Sequence, residues 1–270
     1  EMCDSDWSSD VCSSDLKTES AATVSAHFAD TISGYDIYFG DLAGNPLSGN
    51  WESWLCAGLL PAMQMGRGML GVEEGGSRAS DKLLTGLATI QAIYRTWDSA
   101  LTSVDTSGVT RAVREPQGER VAAFFSGGVD SFYTLLQHEA EITDLVFVHG
   151  LDIPLGAHEL RQQSADHVHR VARDFGKGVI EIETNIRRLL DEFVPWGVFG
   201  HGSALAAIAH QLDRRVKRIL IPASYTYAHL FPWGTHPVLD PHWGSEALTF
   251  VHDGCEATRV AKVGRIAGSG

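Results

Sequence analysis

Residues 120–138 hold the groups most able to do chemistry. Val121 to Phe125 is a short apolar run of the kind a buried parallel strand shows. It leads into the tight turn Ser126-Gly127-Gly128-Val129-Asp130-Ser131, after which Tyr133, Leu135 and Leu136 begin a helical rhythm. A strand, a glycine turn and a helix N-terminus in that order make an anion site. Glycine lets the backbone approach a ligand, and the first helical N–H groups point at it with the helix dipole behind them. Ser126 and Ser131 add hydroxyls, and Asp130 adds a carboxylate. No lysine follows the second glycine, so this is not the P-loop of Walker-type NTPases.

Other candidate groups lie further along. Arg259 and Lys262 are spaced i, i+3 and share one face of a helix. They read either as cations for a polyphosphate or leaving pyrophosphate, or as a solvated helix face. Residues 224–246 have little periodicity and concentrate aromatics, histidines, prolines and acids. A long structureless loop in a compact domain is usually functional or disordered, and the aromatic content argues against disorder. Tyr225, His229, Trp233, His236, Asp240 and Glu246 are its candidate substrate contacts, joined by His201 and, by position alone, Asp152. The other reading is a packed structural loop. Twelve histidines invite a metal, yet His167 and His169 point apart at i, i+2 on a helix, and His229, His236 and His242 follow no zinc spacing.

The hexapeptide Ser126 to Ser131, in its strand–turn–helix setting, resembles the SGGxDS signature of the PP-loop, or N-type ATP pyrophosphatase, superfamily. The chain is loosely similar in this to 7-cyano-7-deazaguanine synthase and to the ATPase domains of asparagine and GMP synthetases. The resemblance implies a HUP-like α/β fold that binds ATP with Mg²⁺ and cleaves it between the α and β phosphates. A small-molecule carboxylate or carbonyl would be adenylated, then transferred to a nitrogen nucleophile. Carried over residue by residue, Ser126, Gly127, Gly128, Val129 and Ser131 bind phosphate, and Asp130 is a Mg²⁺ ligand or a loop brace, with Asp152 a weaker second candidate by position alone. Phe125 and Val148 flank the adenine, and Arg259 and Lys262 join Asp130 as catalytic candidates. Two alternatives stand beside this: an ATP-binding sensor or scaffold without turnover, and an RNA-modifying sulfurtransferase, for which only Cys255 is placed. The cysteine-rich zinc segment of the deazaguanine synthases is missing from this sequence. The resemblance is sharp over six residues, consistent with the rhythm of 120–265, and silent over 17–115.

The elements that position these groups follow from pattern. From residue 120 the rhythm is β/α: strands at Val121 to Phe125, Thr143 to Val148, Val179 to Ile182 and Arg218 to Ala223 alternate with helices over 131–139, 157–175, 186–193 and 202–212. That predicts a doubly wound, mainly parallel sheet with helices on both faces over 119–265, and a ligand crevice beyond the carboxyl ends of its strands. Residues 17–115 read as a separate small α+β module, an accessory that covers the site or supplies a homodimer interface. Its strands are expected at Val24 to Phe28, Tyr35 to Phe39, Met69 to Val72 and Val109 to Val113. Its helices are expected from Trp51, kinked or stopped early by Pro61, and over Leu83 to Trp97, capped by Ser80-Asp81.

Residues 1–16 are set aside from this fold reading, because Asp6 to Leu16 reads as one frame of a common sequencing adaptor. The short tail after residue 265 suggests truncation at the other end. The whole chain carries a formal charge of −13. Removing the five acids of 1–16 leaves 29 acidic against 21 basic residues, a net charge of −8. That balance argues against a large nucleic-acid surface. No apolar run reaches the length of a membrane span, so a cytoplasmic protein is expected. Outside 1–16 only Cys56 and Cys255 remain, too sparse for a disulfide framework.

Overall fold

The computed structural model describes residues 22–29, 34–66 and 78–269. In chain order the first elements are β1 (Thr23–Ala29), β2 (Gly34–Asp41), α1 (Trp51–Met65), β3 (Arg78–Ser80), α2 (Asp81–Trp97) and β4 (Thr110–Ala112). Then come β5 (Arg120–Phe124), α3 (Val129–Gln137), β6 (Asp144–His149), α4 (His158–Asp174), β7 (Gly178–Thr184) and α5 (Ile186–Phe193). The last are α6 (His201–Gln211), β8 (Val216–Pro222), β9 (Thr249–Asp253) and α7 (Arg259–Ala267).

Seven strands form one sheet in the order β1-β2-β7-β6-β5-β8-β9. β7, β6, β5, β8 and β9 are parallel, whereas β2 runs antiparallel to β7 and β1 antiparallel to β2. Side chains alternate across a strand, so each central strand feeds two cores. Ala122, Phe124, Val146, Ile180 and Ile219 pack on one side with α1, α2, α5 and α6. Ala123, Phe125, Leu145, Phe147 and Leu220 pack on the other with α3 and α4. Burial on both faces is what their apolar runs require. From β5 the chain winds outward through β6 to β7, then crosses to β8 and β9 on the other flank. The switch point therefore lies between β5 and β8, where an open α/β sheet leaves a crevice beyond its strand ends.

Three expectations need correction. Residues 17–115 do not stand apart as a module. β2 hydrogen-bonds β7, with Phe39 opposite Thr184, and Phe28, Phe39 and Trp54 belong to the same core as Ile182 and Ala206. The apolar faces of β2 and α1 need cover, and the central sheet and α6 provide it. Pro61 neither stops α1 nor shortens it. The helix runs on to Met65 and ends at Gly66, whose amide bonds the Ala62 carbonyl. Leu59, Leu60, Ala62 and Met63 are all fully buried, and that packing outweighs the roughly 3 kcal/mol penalty of an interior proline. The strand β9 completes the sheet without having been anticipated. Ser80 does cap α2, accepting from the Leu83 amide at 3.0 Å. The strand expected at Met69 to Val72 lies outside the described residues. No described helix is long and apolar enough to cross a membrane.

A buried polar network ties α4 to the strand ends. The Arg161 Nε donates to His149 Nδ1 at 3.1 Å, so the His149 proton sits on Nε2 and is donated to Glu181 at 2.6 Å. His169 also meets Glu181, at 3.0 Å. The hydrogen bond from His149 holds the Glu181 carboxyl below the usual carboxylate range, against the opposing effect of burial. A lowered carboxyl contributes stability above its unfolded value of ~4.3 and loses it as pH falls through the folded value. Glu181→Gln is therefore expected to flatten the decline in urea midpoint between neutral pH and acid. An unchanged acid limb would show that Glu181 is not linked to folding.

Candidate functional site

The loop 126–128 begins where the ladder of β5 ends. The Phe125 amide bonds the Val146 carbonyl at 2.9 Å, and the chain then turns out of the sheet. Gly127 has φ +77°, which glycine adopts freely, and a Cβ there would stand 2.9 Å from the His167 ring. Gly128 is the N-cap of α3 and offers no side chain to the first-turn amides. Those donors are left for a ligand. The Ser131 hydroxyl turns back onto the Gly128 carbonyl at 2.9 Å, bracing the turn.

A cavity of about 360 Å³ opens beside this loop at the switch point, within the range of small-ligand sites. Phe124, Phe125, Val146, Phe147, Val148 and Ile221 supply apolar walls, and Ser126, Gly128, Val129, Asp130 and Ser131 line the loop side. Amide and carbonyl groups alternate in direction along a strand. Val148 thus faces the same flank as Val146, but past the last residue of β5, leaving a donor and an acceptor side by side at the cavity wall.

The two cations expected to act together are brought to one carboxylate and serve it differently. Lys262 Nζ bonds Asp130 Oδ1 at 2.9 Å and the Ala223 carbonyl at 2.5 Å, and is 1% exposed. It also lies 5.5 Å from the centre of the Tyr133 ring. Arg259 reaches Asp130 Oδ2 at 3.3 Å with a largely exposed side chain that lines the cavity mouth. Lys262 braces the loop from beneath, and Arg259 pairs with the same carboxylate from the solvent side.

The 224–246 stretch divides. Of its residues, Ser224 and Thr235 line the cavity, and neither was anticipated. They sit among more conspicuous neighbours, and a small hydroxyl side chain leaves no pattern in sequence. His201 does line it, fixed by the Trp196 carbonyl at Nδ1 and the Thr235 amide at Nε2, both at 3.1 Å. A backbone amide can only donate, so Nε2 accepts and Nδ1 carries the proton. Burial pushes this imidazole down, which keeps it neutral. Trp233 packs on His201 with ring centres 5.3 Å apart, and Tyr225 packs on Trp233 at 5.6 Å, one layer behind the lining.

Of the remaining candidates, Asp240, His229 and Glu246 tie the loop to itself or to neighbouring elements. Asp240 is fully buried, accepting from the His236 amide at 3.2 Å and from His252 at 2.7 Å. Glu246 accepts from the Lys82 amide at 2.9 Å, in the first turn of α2. His229 is exposed and bonds Thr226 at 3.0 Å. Asp152 lines the cavity from the turn after β6. Among the described residues no three His, Cys, Asp or Glu side chains converge to hold a metal ion. Cys255 is buried, and desolvation pushes its thiol up to about 11, so it is a poor source of thiolate at neutral pH.

The architecture and cavity define the class: an α/β chain with a mostly parallel sheet, helices on both faces, and a crevice at the switch point of its strand order. No protein-family model, curated protein or solved structure matches it.

Proposed function

We propose that the chain binds ATP at Ser126 to Ser131 and adenylates a small-molecule carboxylate or carbonyl, releasing pyrophosphate, before a nitrogen nucleophile displaces AMP. One observation carries the reading. The uncapped N-terminus of α3 opens onto an apolar-walled cavity at the switch point, with Arg259 at its mouth. The base would lie between the strand ends, against Phe125 and the free backbone groups of Val148. The phosphates would take the amides of the loop and the hydroxyl of Ser126. Arg259, moving from Asp130, would offset charge growing on the leaving pyrophosphate. Mg²⁺ arriving with the nucleotide would neutralise phosphate charge, and Asp130 is the carboxylate of the loop suited to it once Arg259 has moved. The sulfur-transfer alternative depends on Cys255, whose buried thiol does not support it.

Mg-ATP at ~100 times its dissociation constant is expected to add ~2.7 kcal/mol to folding stability, seen as a thermal shift. In the presence of the acceptor, turnover is expected to yield AMP and pyrophosphate. ADP as the nucleotide product would overturn the proposal. Tight binding without turnover across acceptor classes would favour a sensor.

A further inference from the structure

We propose that Asp152 holds the cationic group, a primary ammonium or guanidinium, of the second substrate. The inference rests on the reading of the cavity as a nucleotide-activating site and adds the charge class of the nitrogen-bearing partner.

Asp152 is the cavity's unpaired charge. The other charged lining groups, Asp130 and Arg259, bond each other. Asp152 is exposed and makes no hydrogen bond or ion pair among the described residues, although His201 is close enough to feel its field. The two arginines that bond its turn, Arg187 and Arg161, are both engaged. Arg187 donates to the Leu151 carbonyl at 2.6 Å, pairs with Asp191 at 3.0 Å and stacks 4.6 Å over the Trp196 ring. Arg161 is held by the Leu155 carbonyl, His149 and Glu183. His201 has its tautomer fixed by two hydrogen bonds and stays neutral.

The turn itself is rigid. The Gly150 amide bonds the Ile153 carbonyl at 3.1 Å, and Arg187 clamps the carbonyl just before Asp152. A carboxylate on the cavity wall repels polyphosphate, so the triphosphate belongs at the other end, beside α3 and Arg259. Among the described residues no set of three His, Cys, Asp or Glu side chains converges at Asp152, so it is also a poor metal site. An organic cation is the complement that remains, and fixed charge complementarity is how such a site selects its partner.

Isothermal titration of the intact protein, with and without saturating Mg-ATP, tests this. The probes are ethanolamine and agmatine, with ethylene glycol as the uncharged control. Both amines are expected to bind and ethylene glycol is not. Asp152→Asn is expected to weaken amine binding about tenfold or more, and Asp152→Glu to restore part of it. Mg-ATP affinity should stay within about twofold in both variants. The inference is overturned if neither amine binds the parent, or if Asp152→Asn weakens Mg²⁺ or Mg-ATP binding in place of the amines. Amine binding through Asp152 in a protein that ignores Mg-ATP would sink the nucleotide reading and leave the cation site standing.

Discussion

Asp130→Ala is expected to cost about 3 kcal/mol of folding stability, and to lose the Mg-ATP response as well. The stability loss comes from Lys262. Its ammonium is 1% exposed and has two close oxygen partners, Asp130 at 2.9 Å and the Ala223 carbonyl at 2.5 Å. Removing the carboxylate leaves a buried charge with one neutral acceptor and a distant ring. Breaking such a pair costs far more than replacing both partners with apolar groups. The double variant Asp130→Ala, Lys262→Met is therefore expected to regain most of the lost stability while still failing to respond to Mg-ATP. Urea unfolding of both variants, each with and without nucleotide, reads the two effects separately. If Asp130→Ala alone unfolds like the parent, the pair does not hold the loop. If the double variant regains the nucleotide response, Asp130 has no part in binding.

Gly150→Ala is expected to be comparably damaging, for a backbone reason. Gly150 has φ +94°, and a Cβ placed on it would stand 1.9 Å from the Thr184 carbonyl oxygen and 3.0 Å from Leu155. Left-handed backbone costs an L-residue roughly 1–2 kcal/mol. Pushing β6 away from the end of β7 adds about 1–3 kcal/mol of overpacking. The sum, about 2–5 kcal/mol, is a large part of what a marginally stable domain can lose and still fold. Urea or thermal unfolding measures it, with hydrogen exchange at His149 and Thr184 locating the damage. A variant as stable as the parent would mean that the turn relaxes freely, and the rigidity invoked for Asp152 would fall with it.

What sequence could show and what it could not follow a physical line. Strand, glycine turn and helix at 120–138 are local, so their pattern is complete within the segment. The parallel strands β5, β6 and β8 announce themselves by short apolar runs because both their faces are buried. The alternation in β2 was visible, but its partner was not, since pairing with Thr184 is decided by what else needs cover. β9 was missed because Thr-Phe-Val-His-Asp is short and mostly polar, and it becomes a strand only beside β8. Arg259 and Lys262 do share a helix, yet one is exposed and the other sealed under Asp130. That depends on how α7 meets α3, which no spacing rule contains. The aromatics and histidines of 224–246 looked like ligand contacts, whereas Asp240, His236 and Glu246 tie the loop to itself, to β9 and to α2.

The stitching of the amino-terminal strands into the sheet also sets a timetable. Tyr38 donates a hydrogen bond to Glu183, 145 residues further along the chain. At a ribosomal rate of about 5–20 residues per second, roughly 7–30 s pass between the synthesis of β2 and that of the strand it must join. During that interval Phe28, Ile37 and Phe39 have no sheet to dock on, and α1 is without α6. The nascent chain therefore carries an open strand edge and an unburied apolar face, a natural client for a chaperone that shields hydrophobic segments at the exit tunnel. Yield on expression should follow chaperone supply and growth temperature more closely than the stability of the finished protein.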